Sequence, residues 1–108
     1  MLNARLFLLQ RLTALAMVPF VFGHIAVMIY AIQGGLTAGE ILGRTQGSVF
    51  WFAFYGLFVV TVSIHGAIGL RTIVAEWAGL RRGLDLFTWG IGLALFALGT
   101  RAVLAVTL

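Results

Sequence analysis

Long uncharged stretches alternate with short polar ones along this chain. The first, Leu12–Ile32, holds no aspartate, glutamate, lysine or arginine, and neither does the second, Ser48–Leu70. A third, Leu86–Thr100, continues past the single Arg101 through Ala102–Thr107. A helix crossing ~30 Å of hydrocarbon needs about 20 residues, so the first two runs predict membrane-spanning helices outright. The third spans if Arg101 carries its guanidinium to the far interface on its aliphatic stem. Between the first two, Gly34, Gly35, Gly39, Gly43 and Gly47 predict a loop, with a short interfacial turn around Glu40–Arg44. Trp77-Ala78-Gly79-Leu80-Arg81-Arg82-Gly83 reads as a polar connector between the second and third.

These runs predict an all-α integral membrane protein, one domain over residues 1–108, with helices at about 12–32, 48–70 and 86–107. Basic residues before an apolar stretch also begin a secretory signal, but a signal's apolar region is only about 7–15 residues long. The first run is longer and contains Pro19 and His24, so a retained helix is expected. Pro19 frees the Leu15 carbonyl and offers a place for that helix to bend.

Composition supports a lipid environment. Of 108 residues, 62% are apolar and 9% charged, with a mean hydropathy of +1.11, whereas a soluble domain carries roughly 25% charged residues. The absence of cysteine excludes disulfides and thiolate metal sites. The net charge of +4 comes from arginines at the ends of apolar runs, a topology pattern and not a nucleic-acid surface. Arg5, Arg11, Arg71, Arg81 and Arg82 fall on one side, Arg44 and Arg101 on the other. The positive-inside rule then puts the N-terminus in the cytoplasm or matrix and the C-terminus outside. Trp51, Trp77 and Trp89 sit where an aromatic belt belongs.

Two histidines lie within the apolar runs. His65 is six residues before Arg71, about 9 Å into the membrane. Gly66 adjoins it and Gly69 follows one turn later, leaving bare helix surface beside an imidazole. That pattern suits either axial ligation of a haem or close helix packing, with the histidine hydrogen-bonded to a neighbour. His24 is thirteen residues beyond Arg11, about 20 Å in. The histidines thus differ in depth by roughly 10 Å, while two axial nitrogens on one iron lie ~4 Å apart. His24 is either a ligand to a second haem or a histidine bonded to a neighbouring helix or to water. Near the cytoplasmic interface, Arg11, Thr13, Arg71, Glu76 and Trp77 suit a quinone, or else serve as topology and belt residues.

The second-run segment resembles the membrane-anchor, cytochrome b subunits of succinate dehydrogenase and fumarate reductase, the succinate:quinone oxidoreductases. In that family a haem-ligating histidine is followed by a glycine four positions on, often an arginine two further, and an acid at the eleventh. Those places hold His65, Gly69, Arg71 and Glu76, the last in place of the usual aspartate. Trp77 stands where one anchor has a quinone-contacting tyrosine. Gln10-Arg11-Leu12-Thr13-Ala14 is similar to the family's arginine–x–serine/threonine–small element near the quinone.

The resemblance implies a three-helix anchor whose bundle is completed by a second anchor subunit. It would dock iron–sulfur and flavoprotein subunits, help hold one haem b (two if His24 also ligates), and help form the quinone site. It would itself do no chemistry on succinate. The membrane implied is the bacterial cytoplasmic (inner) membrane, with the mitochondrial inner membrane as the other setting. A haem-free structural anchor and a small transport subunit are the alternative classes, the latter disfavoured because the first two runs contain no carboxylate.

Overall fold

A computed structural model describes residues 4–79 and 82–108. Among them are four helices: α1 (Ala4–Gly34), α2 (Ala38–Thr45), α3 (Val49–Trp77) and α4 (Leu84–Thr107). α1, α3 and α4 are long and apolar enough to cross a membrane. α1 and α3 outrun the uncharged stretches that announce them, beginning eight residues early and ending seven residues late respectively. Arginine, glutamine and glutamate are good helix formers, so charge ends the apolar run without ending the helix. The 31 residues of α1 reach about 46 Å, well beyond ~30 Å of hydrocarbon. α1 also runs unbroken through Pro19.

α3 is the centre of the bundle, with α1 and α4 packed on it and much less on each other. Both pairs are antiparallel: Thr13 meets His65 while His24 meets Tyr55, and Arg71 meets Asp85 while Val59 meets Gly99. The buried residues are mostly small: Ala31, Ala67, Ile68 and Val103, with Thr13, Thr45, Ser63 and Thr107. This is the composition expected where lipid removes the hydrophobic drive between helices and close packing holds them. Gly99 shows the closeness, since a Cβ there would come within 2.6 Å of Val59 Cγ1. Thr61, Ser63, Thr72, Thr88 and Thr107 donate their hydroxyls to carbonyls one turn back, so few bare polar groups meet hydrocarbon.

The expected interfacial turn is a full helix. Thr37 caps α2 by accepting from the Glu40 N–H at 3.2 Å, the threonine–x–x–glutamate start signal. Gly35, at φ +127°, has a backbone conformation that residues with a Cβ rarely adopt, and the Glu40 carboxylate lies against it. The segment after α2 then ties onto the end of α4. The Thr45 hydroxyl lies within hydrogen-bond reach of the carbonyls of Ile41 (3.1 Å) and Val106 (2.6 Å). The Gly47 N–H donates to Thr107 O at 2.8 Å, and the Gln46 side chain to Leu108 O at 2.9 Å. A helix ends with carbonyls that lack intrahelical partners, and this segment supplies donors for three of them.

Candidate functional site

His65 projects from α3 toward the first turns of α1. Its Nδ1 lies 3.1 Å from the Thr13 hydroxyl, and Thr13 is 7% exposed. The same oxygen is 2.9 Å from Leu9 O and 3.0 Å from Gln10 O. A hydroxyl has one proton, and with it directed at those carbonyls the oxygen accepts from Nδ1–H. The imidazole is then the Nδ1–H tautomer with a free lone pair on Nε2, the form in which histidine binds a metal.

The ring borders a shallow groove of about 450 Å³ whose other walls are Gln10, Arg11, Ala14, Leu15 and Val18 of α1. Gln10 is a member that its residue type does not announce. Its Oε1 is buried and has no hydrogen-bond partner among the described residues. It shares a helix face with Thr13, three residues on, and that spacing is the signal that could have found it. The glycines beside His65 are less bare than their sequence suggests. Gly66 faces α4, where a Cβ would come within 3.1 Å of Leu95, and Gly69 lies beneath the Gln10 amide. Arg11 places its guanidinium 4.9 Å from the Phe7 ring centroid at one edge of the groove.

His24 is elsewhere. It lies eleven residues beyond Thr13 on α1, about 16 Å along the axis. The separation from His65 therefore exceeds the 10 Å expected from arginine counting, because Arg11 and Arg71 are not level. Arg71 lines a cleft with Leu6 and Leu9, nearer the start of α1. The His24 ring stands edge-on to Tyr55 and Phe58, with centroids 6.1 and 5.8 Å away, and faces a cavity that His65 does not touch. Among the described residues no three histidine, aspartate or glutamate side chains converge as a metal site would need.

The interfacial residues read as a quinone set are divided. Arg11 belongs to the His65 groove and Thr13 is engaged by His65. Trp77, at the end of α3, is 85% exposed. Arg71 turns toward α4, donating to Asp85 Oδ1 at 2.7 Å and Thr88 Oγ1 at 3.2 Å. It lines a cleft of about 560 Å³ with Ser63, Asp85, Thr88, Trp89 and a set of apolar side chains. Asp85 and Thr88 carry no sequence motif; they sit one turn apart at the start of α4, where an acid favours the helix dipole. Arg5, Arg11, Arg71 and Arg82 gather at one end of the bundle and Arg44 and Arg101 at the other, while Arg81 lies outside the described residues.

Comparison with protein-family models, curated proteins and solved structures finds no match to this chain. Fold and composition define an all-α protein with three helices fit to cross a membrane.

Proposed function

We propose that this chain is a haem b-binding membrane anchor of a succinate:quinone oxidoreductase. The observation that carries the proposal is the Thr13 hydroxyl at Nδ1 of His65, which engages one ring nitrogen of a histidine that borders an apolar groove. His65 would hold the haem from this chain, and the second anchor subunit would contribute another ligand. His24, in its own cavity, is left out of this haem.

A haem b held there would supply one-electron chemistry between the iron–sulfur subunit and quinone. Thr13 would hold the ring in the ligating tautomer, and Arg11 and Gln10 would offer N–H donors to the cofactor's carboxylates. Arg71 uses one nitrogen on Asp85 and Thr88. Its remaining N–H groups are available to a quinone carbonyl in the α3–α4 cleft. The arginine-rich end is the docking face for the iron–sulfur and flavoprotein subunits, in the cytoplasm under the positive-inside rule.

A reduced-minus-oxidised optical spectrum of the intact complex, with haem quantified per complex, tests the proposal. A b-type bis-histidine signal is expected in the wild type and in His24→Ala, and its loss in His65→Ala. A wild type without haem would leave the alternative class, a haem-free anchor in which His65 only packs against Thr13.

A further inference from the structure

A third cavity, of about 500 Å³, opens where α1 and α4 flank α3 without closing on each other. Its walls are almost wholly apolar. Along α1 it runs from His24 through Val27, Met28 and Ala31 to Ile32, a length of about 12 Å. Small residues of α4, Gly99 and Ala102, form the opposite side. At one end the slot stops against Tyr55 and Phe58, near mid-membrane. At the other it passes beneath α2, where Arg44 stands at the mouth.

Two features say what fills it. The slot is about as long as one leaflet, half of ~30 Å of hydrocarbon. It ends at the Tyr55 and Phe58 rings and at α2, a length that suits one acyl chain and falls short of a membrane-spanning helix. The mouth also carries a cation without a counter-charge. The Arg44 guanidinium lies 5.0 Å from the Tyr30 ring centroid and has no ion pair or hydrogen bond among the described residues. Glu40, one turn earlier, has its carboxylate against Gly35. A cation at the interface above a leaflet-length apolar slot matches a phosphate joined to a hydrocarbon chain.

We propose that this slot holds one phospholipid of the bilayer, its phosphate on the Arg44 guanidinium and an acyl chain lying between α1 and α4. The site is independent of the haem proposal, since none of its residues borders the His65 groove.

Native mass spectrometry of the protein, with any co-purifying subunits, after exchange into phosphatidylglycerol nanodiscs tests it. One retained phosphatidylglycerol per chain is expected for the wild type. Arg44→Gln should lower that occupancy about tenfold, and Ala102→Leu, which fills the slot, should abolish it. Arg101→Gln, at the same end but outside the slot, should leave it unchanged. Diacylglycerol, lacking the phosphate, should not be retained. A phosphatidylglycerol with a photoactivatable acyl chain should label Met28 and Ala102, which reads occupancy without any substitution. No retained lipid in the wild type, equal loss in Arg101→Gln, or labelling spread over all lipid-facing positions would overturn the proposal. So would a disulfide between a cysteine placed at Ala102 and a partner subunit, because the slot would then be a protein interface.

Discussion

The Thr13 hydroxyl and His65 Nδ1, on different helices and fifty-two residues apart in sequence, lie 3.1 Å apart. That contact makes Thr13 a positioning residue for the imidazole. Thr13→Val keeps the shape and removes the hydroxyl. Loss of a partner behind a metal-ligating histidine typically costs 10–100-fold in affinity. Under the proposed haem role, haem content per complex should fall accordingly in Thr13→Val and be restored in Thr13→Ser. The axial-ligand field, read from the low-spin electron paramagnetic resonance signal, should shift in the haem that remains. Unchanged haem content and spectrum in Thr13→Val would show that the hydroxyl does not hold the ring.

Gly99 and Gly90 lie on the same helix and should respond oppositely to alanine. A Cβ at Gly99 would sit 2.6 Å from Val59 Cγ1, while one at Gly90 meets nothing within 4 Å. Gly99→Ala should force α3 and α4 apart at a cost of about 1–3 kcal/mol. Gly90→Ala should be neutral or gain up to about 1 kcal/mol from helix propensity. Thermal unfolding in detergent compares the two directly.

Thr45→Val should leave the Val106 carbonyl without its side-chain donor. An unsatisfied buried acceptor costs about 1–3 kcal/mol. The effect should be local, with faster amide exchange in the last turn of α4 and little change near His65.

The Arg71–Asp85 pair should matter less than its 2.7 Å separation suggests. The Arg71 side chain is 16% exposed but Asp85 is 89% exposed, so the carboxylate loses little hydration in the pair, and pairs open to water contribute about 0–1 kcal/mol. Asp85→Asn should therefore change stability by less than about 1 kcal/mol, measured at low and high salt. A larger effect would mean that the pair holds the α3–α4 connection closed.

The three spans were legible in the sequence because lipid imposes a length and a composition that no other solvent demands. Their ends were not, since Arg5, Arg71 and Glu76 stop the hydropathy signal while favouring helix. α2 was legible only as a turn, although Thr37 and Glu40 spelled its cap. At the candidate site, the histidines could be located but not their partners. Depth along each helix follows from residue counting, whereas facing direction depends on how antiparallel helices register. That register put Thr13 on His65 and Arg71 on Asp85, and so split a group of interfacial side chains that hydropathy alone had placed together.

The tie between residues 45–47 and the end of α4 has an implication for the order of assembly. Chains are synthesised from the N-terminus, so Thr45, Gln46 and Gly47 are made about sixty residues before the carbonyls they serve. The donors that meet the last turn of α4 therefore lie in chain made before it. Those α4 carbonyls find their partners in an earlier segment of the same chain.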